Sequence, residues 1–514
     1  MTQAKTIRGE SARNRCLQWG CWAAALMACF ASSAAQEQPS SINVQWDKVI
    51  RISQTTPTLQ VVVNPPLRRG TPVHDNAFRA LQDLGADYVR YVPWLPYPRL
   101  GVAELEPPTN GRTFWDFSLI DPMTIDFLEA TKGHSVILNF STIPQWMYHT
   151  EKPVAYPADP NQASWDYEQG TELRDPTMKE VADYYARLLG WYTQGGFTDE
   201  MGRFHKSDYH YAIPQWEVLN EVDFEHHFDA ETYTRLYDEV VIALKKVQPD
   251  MKFVGLALAI PTEPHYLEYF LNSKNHKPGV PLDFISYHFY AAPQDGQTSE
   301  ADQYTCFDQA DGFLKTVHYI EAIRKRLSPG TKTTVDELGV IAADDGGQND
   351  PAHVTKPIPN SYWNLSGAVY AYLFGHLAEL GIEVAGESQL VGFPTQYPSV
   401  SMVDWNDGMP NARYWVLKLL RDNFHPGDKL VKDQTAGPIE SHVYTLAFAT
   451  HDGKRRLLLV NKRNRSFQVD VTGATGGKVD FVDQTTGFNP PGTVRLDGEM
   501  VTLQGFSVAV VTLP

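Results

Sequence analysis

From residue 59 to residue 423 the chain alternates short apolar runs with longer stretches in which apolar positions recur every three or four residues. The short runs predict strands over residues 59–64, 88–92, 135–140, 215–221, 252–257, 283–290, 333–337 and 382–386. The longer stretches predict helices over 75–84, 122–131, 179–193, 232–247, 265–271, 312–327, 365–380 and 411–423, several of them closed by Gly or by a nearby Pro. Eight strand-helix repeats in about 360 residues imply an α/β fold, a (β/α)8 TIM barrel, enlarged by long loops at 148–174 and 344–362. After Phe424 the period changes to two, over 441–448, 456–460, 466–471 and 506–513, with Gly, Asn and Pro turns between. That pattern predicts an accessory β-sandwich. Alternation over 41–63 reads as two or three short strands, the earliest of which join the sandwich. The resulting organisation is a leader at residues 1–35, joining strands at 36–57, a barrel at 58–425 and a sandwich at 426–514.

Composition permits a large folded enzyme, with 514 residues of which 42% are apolar and 12% aromatic. A formal net charge of −17 argues against a nucleic-acid partner, because phosphate binding needs clustered Lys and Arg. Lys5, Arg8, Arg13 and Arg15 precede an apolar run from Leu17 to Ala31 and the small residues Ser33-Ala34-Ala35, the layout of an export leader. The run is shorter than a membrane span. Leu26-Met27-Ala28-Cys29 offers a lipoprotein alternative. The expected location is therefore periplasmic or secreted. Cys16, Cys21 and Cys29 lie in the leader, so Cys306 has no partner for a disulfide once the leader is removed.

The chemistry stands at two strand ends. Trp216-Glu217-Val218-Leu219-Asn220-Glu221 closes the fourth strand, and Thr333-Thr334-Val335-Asp336-Glu337 closes the seventh. The mouth of a barrel is where such ends deliver reactive groups. Two carboxyl groups there suit cleavage of an acetal, one protonating the leaving oxygen and the other meeting the oxocarbenium-like carbon. His288 and Tyr290 end the sixth strand and are donors for Glu337. Arg90 is a charge inside an apolar strand, where burial demands a partner. Trp94, Trp146 and Trp405 follow the second, third and eighth strands, where flat rings stack on sugar faces. Glu387 at the eighth strand is a third carboxylate near the mouth. Glu225-His226-His227 lacks the i, i+4 histidine spacing of a helical metal site and reads as a solvated loop. No metal or cofactor is called for.

Together with Ile143-Pro144-Gln145-Trp146 and Asp283-Phe284-Ile285-Ser286-Tyr287-His288-Phe289-Tyr290, these stretches resemble a retaining glycoside hydrolase of clan A, most of all family 39, the β-xylosidase and α-L-iduronidase type. The resemblance implies that Glu221 is the acid/base, Glu337 the nucleophile, and Asn220 the residue that binds the sugar 2-hydroxyl. It also implies a carbohydrate partner. The chain departs from that family with Val222 in place of the Pro after Asn-Glu, with Leu338-Gly339 after the nucleophile, and with Tyr91-Val92-Pro93-Trp94 where a histidine usually follows the strand-two Arg. These departures bear on sugar identity more than on reaction type. Long loops after strands three, six and seven are expected to close one end of the mouth, which favours exo action. The alternatives are an endo-acting glycanase of the same clan and a carbohydrate-binding protein with a silent barrel.

Overall fold

Eight strands buried on both faces pair in parallel and close on themselves: Thr56–Val62, Val89–Val92, Val136–Leu138, Gln215–Glu217, Lys252–Leu258, Phe284–Ala291, Lys332–Val340 and Val384–Glu387. The structure is a computed structural model describing residues 40–514 other than 166, 168, 169, 293–299, 343, 344, 346–357 and 438. The leader read at 1–35 lies outside the described residues. So do parts of the loops after the sixth and seventh strands. No described helix is long and apolar enough to cross a membrane.

Both faces of these strands are covered, which is why they read as continuous apolar runs. Local signals set the helix ends. His74–Leu84 stops at Gly85, whose φ of +59° suits a residue without Cβ. The Asp229 carboxylate caps Ala230–Val247 by accepting from Thr232 N at 2.7 Å, and Asn411 caps Ala412–Asn423 through Arg413 N at 2.9 Å. One helix is longer than its pattern suggested. Glu300–Leu327 runs through Gly312, which breaks the apolar period but costs only about 1 kcal/mol in a helix interior.

The barrel interior is layered. Ile137, Val254 and Phe284 form an apolar cluster with Tyr88 against it, near the strand beginnings. Above this floor, parallel register sets Gln60 beside Arg90 and His288 beside Glu337. Polar side chains thus gather toward the strand ends, over a dry base.

The accessory domain is one nine-stranded sheet that curls on itself. Alternation divides its residues between two faces. Leu446, Phe448, Leu458, Val460, Val508 and Val510 join the main core, where Phe448 meets Phe424 at a ring separation of 4.2 Å. Ala447, Leu457, Leu459, Ala509 and Val511 turn the other way into a second core with Ile42, Val431 and Val469. The segment read as several short strands is a single one, Ser41–Ile52, antiparallel to Lys429–Ala436 and parallel to Phe467–Val471. Register shifts between Gln45 and Val49 and between Val49 and Arg51 interrupt its alternation. The strands Lys429–Ala436, Lys478–Val482, Gly492–Arg495 and Met500–Leu503 add to those read from the sequence.

Candidate active site

Arg90 organises the site from below. Its side chain is completely buried, and all three of its nitrogens donate hydrogen bonds. Nε donates to Glu217 Oε2 at 2.5 Å, Nη1 to Gln60 Oε1 at 2.7 Å and Glu337 Oε1 at 2.5 Å, and Nη2 to Asn220 Oδ1 at 2.6 Å. A planar guanidinium can hold four acceptors in fixed directions, as an ammonium cannot. Glu217 also accepts from Asn139 Nδ2 at 2.7 Å and Ser286 Oγ at 2.5 Å. Burial, opposed by Arg90, pushes the Glu217 carboxyl up to about 7.

Glu337 and Glu221 lie above this layer. Tyr290 donates its hydroxyl to Glu337 Oε2 at 2.6 Å and accepts from Ser388 Oγ at 2.6 Å, which in turn accepts from Gln60 Nε2 at 2.6 Å. Glu337 therefore has a donor on each oxygen. Glu221 Oε1 lies 2.9 Å from His288 Nδ1, which is also 3.6 Å from Glu337 Oε2. One oxygen of each glutamate and a histidine nitrogen all lie within 4.8 Å of one another.

The two carboxyl groups have different surroundings. Burial raises Glu221 above the usual carboxylate range; the bond and charge of His288 oppose the rise and the charge of Glu337 adds to it. For His288 burial works against the charged ring, yet Glu337, Asp336 and Glu221 outweigh it and hold the imidazole well above its ordinary value. His288 Nε2 faces Asp336 Oδ1 at 3.4 Å. Asp336 itself is lowered, because Arg90 and His288 outweigh its burial.

The backbone at the fourth strand end is bent to present Glu221. Leu219 and Glu221 have φ of +66° and +42°, sparsely populated for residues with a Cβ. Glu221 N donates to Ala257 O at 2.9 Å, and Ala257 is itself at +45°. Strain of this kind persists only where surrounding structure imposes it.

A cavity of about 320 Å³ opens over these groups. Asn220, Glu221, Tyr290, Glu337 and Ser388 contribute to it from strand ends, while Trp94, Trp165, Phe224 and Tyr397 wall it from loops. These walls come after the second, third, fourth and eighth strands, and among the described residues Ile341 is the one contributed after the seventh. Larger clefts of about 660 and 430 Å³ sit at the opposite end, lined by residues that precede the strands. Barrel chemistry belongs to the other face.

The structure brings some of the sequence candidates together and leaves others apart. Asn220, Tyr290 and Trp94 line the cavity, His288 supports Glu221 from beneath, and Arg90 stands behind Glu337. Trp146 does not line it. Its Nε1 donates to Glu104 O at 2.8 Å and its ring lies under the Arg174 guanidinium at 4.3 Å. Trp405 is outside it too, packed against the main core. Glu387 is fully buried against Arg413 Nε at 2.9 Å, an internal ion pair, with burial raising its carboxyl to about 7.

The loop read as solvated departs from expectation. His226 is buried, 3.0 Å from the Tyr148 hydroxyl, and Glu225 reaches the cavity. Phe224 N and Glu225 N both donate to Glu221 O, at 2.8 and 2.7 Å, and this tight turn folds Glu225 back over Asn220. Nothing in the local composition announces the turn. A second group of potential metal ligands, His425, Asp428 and His451, lies where barrel meets sheet. Asp428 there accepts from the backbone N of both histidines, each at 2.9 Å, which accounts for the clustering.

Glu104, behind Trp146, gives a pH test of this packing. It is fully buried, and desolvation raises its carboxyl from 4.5 to about 8. Between those values the unfolded chain releases a proton that the folded chain keeps, so stability falls as pH rises, by up to about 1.4 kcal/mol per pH unit. Glu104→Gln should flatten the fall of the unfolding midpoint between pH 5 and 8. Parallel curves for variant and parent would contradict the assignment.

Two carboxyl groups converge at the C-terminal mouth of a closed parallel barrel, one with a donor on each oxygen and the other raised by burial, an arrangement that suits glycosidic-bond chemistry. Residues 197–337, which include both glutamates, match the family described as Glycosyl hydrolases family 39. The chain is a glycoside hydrolase that resembles family 39 over this segment. Residues 440–511 match the C-terminal immunoglobulin-like domain of D-apionate lactonase. No curated protein matches the sequence. Among solved structures, the GH51 arabinofuranosidase from Xanthomonas axonopodis pv. citri superposes with a TM-score of 0.63 at 14% identity, over 93% of this chain and 100% of that one. The α-L-arabinofuranosidase from Thermotoga maritima gives 0.58 at 16%, over 92% and 99%. A GH30 endoxylanase from Clostridium papyrosolvens C71 gives 0.51 at 13%, over 92% and 100%. At such identities the likeness is one of fold.

Proposed function

We propose that the protein is a retaining, exo-acting O-glycosidase in which Glu337 is the nucleophile and Glu221 the acid/base. The observation that carries this reading is the approach of one Glu221 oxygen and one Glu337 oxygen to within 4.8 Å. Retaining enzymes place their carboxyl groups about 5–5.5 Å apart, whereas inverting enzymes leave about 6.5–9.5 Å for a water. In the first step a Glu337 oxygen bonds to the anomeric carbon, the glycosidic C–O bond breaks, and Glu221 gives its proton to the departing oxygen. In the second, Glu221 takes a proton from water as that water attacks the same carbon, and the bond to Glu337 breaks.

The lining supports a substrate class. Carboxyl groups of Glu221, Glu225 and Glu337 face the cavity, and among the described residues no Lys or Arg lines it. A uronate needs a cationic partner, so the site suits neutral glycones. The cavity, at about 320 Å³, is at the small end for ligand sites and favours a single terminal sugar unit. A second reading, lactone hydrolysis, rests on the sheet-domain match; among the described residues that domain contributes none to the cavity.

A panel of 4-nitrophenyl glycosides, with aldonolactones alongside, tests these points. Turnover is expected for at least one neutral pentoside or hexoside and at least about 100-fold less for the matching uronide. Preferred turnover of the uronide or a lactone would overturn the substrate class. Early products from an end-labelled oligosaccharide test exo action, since labelled mid-length fragments appearing first would mean internal cleavage. The basic and apolar leader supports export, which N-terminal sequencing of the mature protein tests.

A further inference from the structure

Among the described residues, the most exposed large apolar side chains after Phe204 are Phe224 and Ile260, at 59% and 58%. Both stand on loops that leave the barrel mouth, after the fourth and fifth strands. Asp223 ties these loops together, its Oδ1 accepting from Ala259 N at 3.0 Å and its Oδ2 from Ile260 N at 2.9 Å, while Glu221 N donates to Ala257 O at 2.9 Å. Phe224 N donates in turn to Glu221 O at 2.8 Å. Backbone bonds therefore fix where both side chains leave the chain, one tight turn beyond Glu221. Phe224 lines the cavity and Ile260 does not, so the apolar pair continues from the cavity wall onto the surface. The loops have a one-sided chemistry. Residues 222–224 and 258–261 carry no side-chain donor, and their one carboxylate, Asp223, already has both oxygens bonded to backbone N–H groups.

On the glycosidase reading above, on which this inference rests, Glu221 gives its proton to the departing oxygen, so the group carried by that oxygen leaves on the Glu221 side. That side is where the turn presents Phe224. We propose that Phe224 and Ile260 form a ledge for the leaving group, and that the substrates are glycosides of one neutral sugar unit on an apolar alcohol, in preference to sugar-sugar linkages. The cavity of about 320 Å³ takes a single sugar unit, and the remainder of the substrate must lie outside it, where the ledge is. A sugar ring there would find no side-chain donor on these two loops for its hydroxyl oxygens. An aryl or alkyl group would instead cover two apolar side chains that water now surrounds, which is favourable in proportion to the area removed from water.

The competing account gives the leaving side to a second sugar. For whichever neutral glycone is turned over as its 4-nitrophenyl glycoside, kcat/KM is measured for the methyl, butyl and octyl glycosides below their micelle concentrations, and for a disaccharide with the same glycone. Simple alkanols differ little in acidity, so chain length changes the apolar area and leaves the demand for protonation nearly constant. A fully buried methylene is worth about fourfold in binding, and one laid on an open ledge about twofold. The octyl glycoside should therefore exceed the methyl by about tenfold or more, and should exceed the disaccharide. Phe224→Ala should bring the octyl-to-methyl ratio to within about threefold of one, Phe224→Leu should recover part of it, and Ile260→Ser should lower it. Both positions are exposed, so these replacements spare the core. A ratio near one in the parent, a disaccharide preferred to the octyl glycoside, or a high ratio that survives both Phe224→Ala and Ile260→Ser would overturn the ledge.

Binding provides the readout that does not need turnover. In Glu337→Gln, calorimetric titration with the octyl and methyl glycosides should show the octyl form binding about tenfold tighter or more, with the more negative heat-capacity change that apolar burial brings. Adding Phe224→Ala should remove most of that difference. Absence of turnover on every glycoside by the parent enzyme would overturn the glycosidase reading. Turnover and binding that are indifferent to chain length would overturn the ledge and leave that reading standing.

Discussion

Glu337→Gln should lower kcat by at least about 10⁴-fold on every glycoside, since in the proposed mechanism it removes the carboxylate that bonds to the anomeric carbon. The amide keeps the size of the side chain, so the folded structure should persist. Glu221→Ala should behave differently. With a 4-nitrophenolate leaving group, which departs without protonation, the first step should be nearly intact and the second should slow. With an alkyl leaving group both steps should suffer, by about 10²–10⁴-fold. Azide should restore part of the second step in Glu221→Ala by attacking the anomeric carbon without base assistance. Steady-state kinetics across leaving groups checks this. Identical losses in both variants on every leaving group would void the assignment of roles.

Arg90→Met should be the most damaging substitution to stability. Arg90 donates to Glu217, Gln60, Glu337 and Asn220 in a buried layer, with Asp336 at 3.7 Å. Removing the cation leaves Glu217 without a counter-charge and Asp336 and Glu337 with His288 alone, and breaking such a buried cluster costs about 3–5 kcal/mol. Arg90→Lys keeps the charge but not the fork, and should recover only part of the loss. Urea titration measures both. A variant whose unfolding midpoint matches the parent would show that the cluster reorganises without its centre.

Most of the barrel was legible because buried parallel strands and amphipathic helices have different periods. Lys179–Thr193 stands where its pattern placed it, and Gly85 closes the first helix as a glycine after an apolar face should. Arg90 was legible as a charge in an apolar strand. Glu217 carries the same signal, and its role under the site is visible only in the bonds of Arg90. Loop residues were the hard part. Trp94 and Trp146 are equivalent in sequence, each soon after a barrel strand, yet one braces Glu225 and the other turns to Arg174. What separates them is the direction of a loop, which depends on distant partners. Glu225 was obscured for the same reason, since a turn of backbone bonds to Glu221 O decides where its carboxyl points.

The strand Ser41–Ile52 has a consequence for the chronology of biosynthesis. Its antiparallel neighbour begins at Lys429, so a ribosome must add 429 − 52 = 377 residues after Ile52 before that pairing can start. At about 5–20 residues per second this takes roughly 20–75 s. All eight barrel strands are made within that interval, while Val49, Ile50 and Ile52 wait with an unpaired edge. The accessory sheet is therefore the last part of the molecule to be completed, and its completion fastens a strand made before the barrel to strands made after it.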